Sequence, residues 1–172
     1  GRSEKCIACF PARETVTQPM CVQNCIGKIR IFGYLSKWTA PQENNPLDYL
    51  IHVKKVALPL YPQFGLEPNV YYIPPINAPA SFNKQLFGPG AVKAVETYRK
   101  AMEDPKLIGL LMLFGSTDKI VHNFRVEGES DKGFCMGYDE KGAEVIKVPL
   151  KEPIVIRKAF DEARNVPRLS IT

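Results

Sequence analysis

Four of the five cysteines fall within the first 25 of 172 residues, and this clustering constrains the chain more than any other feature. They form the pattern Cys6-x2-Cys9-x11-Cys21-x3-Cys25, whereas Cys135 stands alone much later in the chain. Three chemistries bring cysteines together in this way: disulfides, a structural zinc ion and iron-sulfur ligation. The cysteine group therefore has to be explained before the rest of the chain.

The three chemistries predict different surroundings for the cysteines. Disulfides usually staple a small secreted chain along its whole length, but here they would constrain only one end. Structural zinc usually pairs two close-set knuckles such as C-x2-C, and the x3 spacing of the second pair departs from that pattern. An iron-sulfur cluster needs thiolates inside an apolar shell that limits water. The neighbouring apolar residues would supply such a shell: Ile7, Phe10, Met20, Val22 and Ile26. The surroundings favour iron-sulfur ligation over zinc, and leave disulfides or free thiols as the third reading.

The second cysteine pair has helical spacing. Cys21 and Cys25 lie four residues apart, so one helical turn would place both sulfurs on the same face. They could bind one cluster or two neighbouring clusters, because the last cysteine of a run ligates the other cluster in two-cluster ferredoxins.

The residues around the cysteines resemble a known family. The stretches CIACFPAR at 6–13 and PMCVQNCIGKIR at 19–30 are similar to the last cysteine group of certain iron-sulfur β subunits. These subunits serve molybdenum oxidoreductases related to respiratory nitrate reductase. The resemblance extends over residues 5–127, and within the DMSO reductase family these residues are similar to the type II branch. Four further stretches carry it: GYL at 33–35, NPLDYL at 45–50, KKVALPLYPQ at 54–63 and LEPNVYYIPP at 66–75.

The resemblance implies a divided ligand set. By motif, Cys6, Cys9 and Cys21 would share one 4Fe-4S cube with a cysteine outside this chain. Cys25 would close a second cube, whose other three ligands also lie outside it. The chain lacks three of the family's four cysteine groups, so we expect it to be the C-terminal portion of a longer subunit, with a 3Fe-4S cluster as a candidate elsewhere in that subunit. The alternative is that the four cysteines close a single cube.

The resemblance also implies a role and partners. The chain would transfer electrons between a catalytic α subunit that carries molybdenum and a haem-binding γ subunit or another carrier, with no catalytic centre of its own. Type II relatives are commonly exported with their partner, which points to the periplasm or another extracytoplasmic compartment, with the cytoplasmic face of the membrane as the alternative. The rival function is a protein-interaction module stabilised by a zinc knuckle. The substrate and the direction of electron flow are not encoded in this chain.

Composition excludes several other classes of function. The net charge of +5 comes from scattered basic residues, not from the basic clusters that nucleic-acid binding requires. The longest apolar run, at 107–115, is far shorter than the roughly 20 residues of a membrane-spanning helix. The two histidines, His52 and His122, have no spacing typical of a catalytic triad or metalloprotease.

The chain is expected to be α+β, with four regions. Residues 1–37 would form a ferredoxin-like iron-sulfur cluster segment, and 38–88 a proline-rich, irregular segment that docks onto another subunit. Residues 89–127 would be helical, and 128–172 would hold a small antiparallel β meander and the tail.

The second region has eight prolines between Trp38 and Pro79, so a regular helix or central strand cannot run through it. Its aromatic residues argue against disorder. They would cover either a partner subunit or the chain's own core, and the sequence leaves both readings open.

Local patterns predict the individual elements. Alternation over 29–34 predicts a short strand, and helical spacing predicts helices over 91–103 and 105–114. A final helix is expected over 154–164. Strands are predicted at 124–127, 133–138 and 144–148, with a turn at 139–142.

Three residues near these elements have two readings each. Lys28 and Arg30 would either offset the negative charge of a cluster or be plain solvated cations. Cys135 lies in a strand-like context, where a buried and inert thiol is expected in preference to a ligand.

Overall fold

The computed structural model describes residues 6–7, 9–66, 68–128 and 132–151, together with the backbone of two short strands at 160–161 and 166–167. The helices are α1 (Phe10–Glu14), α2 (Met20–Gln23), α3 (Pro46–Asp48), α4 (Ala80–Phe87), α5 (Ala91–Arg99) and α6 (Pro105–Met112). Single turns of π-helix at Tyr49–Val53 and of 3-10 helix at Pro62–Phe64 and Ala101–Glu103 lie between them. The strands are β1 (Asn123–Glu127), β2 (Phe134–Tyr138), β3 (Glu144–Pro149), β4 (Phe160–Asp161) and β5 (Val166–Pro167). The described chain is thus α+β, as the sequence predicts.

Strands β1, β2 and β3 form an antiparallel meander in that order, which confirms the prediction. In its register Val126 faces Cys135, and Cys135 faces Val148. The turn between β2 and β3 is held by Asp139, whose carboxylate accepts the amides of Lys141 and Ala143 at 2.9 and 2.8 Å. An Asp side chain that bonds its own turn is a local signal, and this explains why the hairpin was predictable.

Helix α6 packs across the meander and buries the core between them. Its start is set by Asp104, whose Oδ1 accepts the amides of Lys106 and Leu107 at 3.1 Å each, with Pro105 as the first helical residue. The buried centre combines residues from this helix, from the sheet and from the π-helical turn: Tyr49, Leu50, Val56, Leu107, Leu110, Leu113, Val121, Phe124 and Cys135. The predicted helices over 91–103 and 105–114 are therefore confirmed, with small differences at their ends.

A buried carboxylate organises the loop before α3. Asp48 is fully buried, and its two oxygens accept the amides of Ser36 and Gln42 at 3.0 and 2.8 Å. These bonds tie the two ends of a loop whose exposed part carries Trp38, 79% exposed. Asn45 caps α3 through its side chain. The loop is consequently fixed by the residues that begin the next helix.

The predicted strand over 29–34 is wrong. The backbone there is irregular, and at the C-terminal end of the stretch it bonds to side chains of the following segment. The side-chain amide of Asn45 donates to the carbonyl of Tyr34 at 2.8 Å, and Asp48 takes the amide of Ser36. Lys28 precedes the stretch in a left-handed turn (φ 51°). Alternating apolar residues alone did not reveal these partners.

The proline-rich segment is more structured than predicted. Its first part is irregular with single helical turns, and one isolated bridge pairs Leu58 with Tyr72. Helix α4 lies inside the region expected to be extended, and this expectation is wrong for Ala80–Phe87. The physical reason is that Pro79 caps the helix and the next proline, Pro89, follows only after its end at Gly88 (φ 76°).

The predicted final helix over 154–164 is contradicted where the structure describes it. Phe160–Asp161 pairs as an antiparallel strand with Val166–Pro167, and these backbone bonds are incompatible with helix at 160–161. The other residues of that predicted helix lie outside the described residues.

Within the described ranges, no helix has the length and apolar character that crossing a bilayer requires. The same ranges show two short helices and no strand among residues 9–37.

Candidate metal centre

The clustered cysteines lie on and around the first two helices. Cys9 begins α1 in a left-handed conformation (φ 49°), and its carbonyl accepts the amides of Ala12 and Arg13 at 2.9 and 3.3 Å. Cys21 lies in α2, and Cys25 follows two residues after the helix ends. The predicted helix is therefore present at Cys21 but ends before Cys25.

The four sulfurs are accessible, but they are not gathered. Cys6 and Cys21 are exposed, while Cys9 and Cys25 are half-buried. Cys9, Cys21 and Cys25 form no disulfide. Among the described residues, no three His, Cys, Asp or Glu side chains come together as a metal-binding group. The structure thus places the predicted ligands in one region without assembling a complete set from this chain.

The Cys25 sulfur lies in an electropositive setting. The backbone amide of Ile29 donates to it and is the largest cause that holds the pKa of the Cys25 thiol below its ordinary value. Partial desolvation opposes this effect, while the charge of Arg30 and two neighbouring amides add to it. Amides that face a sulfur stabilise its thiolate, which is the form that binds metal.

The donor chemistry fits a soft metal or an iron-sulfur cluster. Thiolates select zinc and iron-sulfur clusters, whereas calcium and magnesium need oxygen ligands. The sequence has no Asp or Glu between Glu14 and Glu43. The residues that would hold the group are the four cysteines Cys6, Cys9, Cys21 and Cys25.

A buried glutamine connects the cysteine segment to the loop before β1. Gln18 is 2% exposed, and its side-chain amide donates to the carbonyls of Thr117 and Lys119 at 3.0 and 2.9 Å. The backbone amide of Gln18 donates to the backbone carbonyl of Asp118 at 2.8 Å. The backbone carbonyl of Gln18 accepts a hydrogen bond from the side-chain amide of Gln23, which lies in α2. The helix that carries Cys21 is thereby connected to the loop before β1.

Sequence reasoning missed this anchor. The side-chain partners of Gln18 lie 99 and 101 residues later and are backbone carbonyls, which any residue type provides. No spacing or composition signal marks such a contact.

The apolar residues expected to form a shell divide into two groups. Val22 is buried within the chain, whereas Ile7, Phe10, Met20 and Ile26 are exposed. Ile26 is 99% exposed. These four side chains are available to surround a cluster or to contact another polypeptide.

The two cations after Cys25 occupy different places. Arg30 Nη1 donates to the carbonyl of Cys21 at 3.0 Å. Lys28 instead lies over Gly115, where an added Cβ would run into its side chain. From the sequence, both cations have the same two readings. In the structure the Arg30 side chain contacts the cysteine segment, whereas the Lys28 side chain lies against Gly115.

The proline-rich segment divides between the core and the surface. Tyr49 is buried, and Tyr71 and Ile73 pack against the core. Other apolar residues of this segment and of α4 are exposed: Tyr61, Phe64, Leu66, Val70, Tyr72 and Phe82. Tyr61 and Phe64 also contact each other, with ring centroids 5.8 Å apart. The aromatics thus cover the chain's own core in one subset, and for the exposed subset the partner-docking reading stays a prediction.

Cys135 is separate from the cysteine cluster. It is fully buried in β2, and burial raises the pKa of its thiol to about 12. A neutral thiol of this kind is inert. The prediction that Cys135 is buried is confirmed, and its lack of reactivity stays a prediction.

Comparison with known proteins supplies the family. No protein-family model matches the chain. It is 35% identical to the chlorate reductase subunit beta of Ideonella dechloratans over 69% of this chain and 42% of that protein. It is 34% identical to the selenate reductase subunit beta of Thauera selenatis over the same shares. It is 42% identical to the perchlorate reductase subunit beta of Dechloromonas aromatica over 46% of this chain and 22% of that protein.

These matching proteins are all β subunits, and this chain covers only part of the length of each. Each is a β subunit of an oxidoreductase, as is the dimethylsulfide dehydrogenase subunit beta of Rhodovulum sulfidophilum, 34% identical over 58% of this chain and 34% of that protein. The chain spans about two fifths of the length of the chlorate and selenate reductase subunits. These relatives agree with the resemblance carried by the sequence motifs, and the chain belongs to the family of β subunits of type II DMSO reductase-like oxidoreductases.

Proposed function

We propose that this chain is part of an electron-transfer subunit that passes electrons through 4Fe-4S clusters. The observation that carries the proposal is the set of four exposed or half-buried cysteines on and around α1 and α2, in a chain similar to oxidoreductase β subunits. Electrons would move between a molybdenum-bearing catalytic subunit and a haem-containing or other carrier.

The proposed ligand assignment follows the family pattern. Cys6, Cys9 and Cys21 bind one cube, and Cys25 binds a second, with the remaining ligands outside this chain. Each cube would supply one-electron transfer without substrate chemistry. The residues around Cys25 favour its thiolate through the Ile29 amide, so this chain prepares the sulfur for ligation.

The chain's other contribution is to fix the positions of the ligands and to exclude water from them. Gln18 connects the helix of Cys21 to the loop before β1. The exposed side chains of Ile7, Phe10, Met20 and Ile26 would exclude water once a cluster and the rest of the subunit lie against them. Stable ligand positions and restricted water keep the charge environment of a cluster constant.

The catalytic subunit is proposed to dock on the segment 38–88. Support comes from its exposed aromatic and aliphatic side chains, since grouped apolar exposure is typical of protein interfaces. We assign the complex to the periplasm or another extracytoplasmic compartment, in keeping with the type II resemblance.

The decisive experiment measures metal and sulfide in the purified, anaerobic complex, followed by low-temperature electron paramagnetic resonance. We expect iron with acid-labile sulfide, and molybdenum in the same sample. A Cys9→Ser variant should lose or convert one cluster. The matched control is Cys135→Ala, which removes a buried thiol remote from the motif and should keep the iron content. Zinc without iron would overturn the proposal in favour of a zinc knuckle. Equal iron loss in both variants would overturn the assignment of Cys9 as a ligand.

A further inference from the structure

Arg30 lies beside two of the proposed ligands. The chain turns back after Cys25, through Lys28 in the left-handed conformation, and this turn carries Arg30 toward α2. There its Nη1 donates to the carbonyl of Cys21 at 3.0 Å. Its charge also acts on the sulfur of Cys25. One guanidinium thus bonds to the backbone of Cys21 and acts on Cys25 through its charge.

No ion pair with Arg30 is present among the described residues, where the ion pairs join Lys54 to Asp104 and Lys106 to Glu43. The nearest acidic residues along the chain are Glu14 and Glu43. A guanidinium stays protonated at every relevant pH, so its positive charge is permanent.

We propose that Arg30 sets the reduction potential of the clusters bound at Cys21 and Cys25, by holding a fixed positive charge at the backbone carbonyl of Cys21. This inference rests on the proposed electron-transfer function and adds to it a residue that is not a ligand. Reduction delivers one electron from a neighbouring cube, adds one negative charge, and forms or breaks no bond. A nearby cation stabilises the more negative, reduced form, which raises the potential.

The chain offers a matched pair of substitutions. Arg30→Gln removes the charge but keeps an amide that can donate to the Cys21 carbonyl. Lys28→Gln removes the same charge two residues earlier, from a side chain that lies over Gly115. Arg30→Lys keeps the charge and changes only the shape of the donor. Charge and hydrogen bonding can therefore be separated.

The test is a redox titration of the intact complex followed by electron paramagnetic resonance, with iron content measured in each variant. For Arg30→Gln we expect the reduced-to-oxidised ratio of at least one cube to fall about three- to tenfold at a fixed potential. A tenfold change corresponds to 59 mV for one electron. Lys28→Gln and Arg30→Lys should leave the midpoints close to wild type.

The outcomes separate this inference from the function on which it rests. Wild-type protein without iron would overturn the proposed function itself. Iron-loaded Arg30→Gln with unshifted midpoints, or an equal shift in Lys28→Gln, would overturn only the role of Arg30. If Arg30→Gln fails to hold its cubes, Arg30→Lys decides, since unchanged midpoints support the role of the charge and lowered midpoints contradict it.

Discussion

Gly109 of α6 lies so close to Cys135 of β2 that a Cβ added to the glycine would stand 3.1 Å from the Cβ of the cysteine. The same added atom would lie 2.8 Å from Val126 and 2.9 Å from Leu150. Glycine in a helix interior normally lowers stability, but here it allows the helix to approach the sheet. The contact between α6 and the meander depends on this missing side chain.

We expect Gly109→Ala to lower the free energy of unfolding by about 1–2 kcal/mol, since overpacking a closed core outweighs the gain in helix propensity. Urea denaturation followed by circular dichroism measures the change. The control is Gly90→Ala, where the nearest atom is 4.0 Å away and the backbone is already helical. A Gly109→Ala variant as stable as wild type would contradict this account of the packing.

Replacing Gln18 should loosen the cysteine segment. Gln18→Leu removes the donors to the backbone carbonyls of Thr117 and Lys119, at a cost of about 1 kcal/mol for each part-buried hydrogen bond that is lost. Hydrogen exchange should then accelerate at the amide of Ile120, which bonds to Val16 in the same contact. The exposed Gln63 provides the matched control, because Gln63→Leu leaves this contact intact. Unchanged protection at Ile120 would argue against the anchor.

The thiol of Cys25 should react at lower pH in the folded, metal-free protein than after unfolding. The Ile29 amide lowers the pKa of this thiol, so the reactive thiolate forms earlier as pH rises. Alkylation by iodoacetamide, followed residue by residue with mass spectrometry, gives the pH midpoint with and without urea. Equal midpoints in both conditions would show that the fold does not activate the sulfur. Cys135 should remain unmodified until the protein unfolds, because it is buried.

Stability should fall in acid through Asp104. Burial acts to raise the pKa of this carboxyl, but the hydrogen bond from Lys54 and the amides of Leu107 and Lys106 outweigh it and hold the pKa below the ordinary value. A depressed folded pKa means that the stabilisation is complete above about pH 4, the unfolded value, and is lost as pH falls through the lower folded value. Urea titrations from pH 2 to 7 should show this loss.

The Asp104→Asn variant tests the assignment. Asparagine keeps a capping oxygen for α6 but has no charge for Lys54. Its stability should depend less on pH than that of wild type below about pH 4. A pH dependence identical to wild type would place the acid sensitivity elsewhere.

The predictable parts of this fold are those whose signals are local. Asp104-Pro105 marked the start of α6, and the turn after β2 carried its own hydrogen-bonding Asp139. The stretch 29–34 had strand-like alternation, but Asn45 and Asp48 bond the backbone of Tyr34 and Ser36 at its end, and alternation says nothing about those partners. Local patterns describe what a segment prefers, and distant polar partners can override the preference.

The candidate site divides in the same way. The four cysteines were identified by their spacing, because ligand chemistry restricts both residue type and distance along the chain. The sequence did not predict the different positions of Lys28 and Arg30, because the residues around them in the sequence are similar. In the structure the Lys28 side chain lies against Gly115, whereas Arg30 donates to the Cys21 carbonyl. Whether the cysteines bind two cubes stays a prediction.

The loop held by Asp48 has a practical consequence for studying assembly. Its backbone is fixed at both ends before any partner arrives, so covering Trp38 would require little loss of chain entropy. Trp38 is also the only tryptophan in the chain. Its fluorescence therefore reports on a single, pre-arranged position, and a blue shift or quenching on mixing with a candidate subunit would show, without any label, that this side of the molecule has been buried.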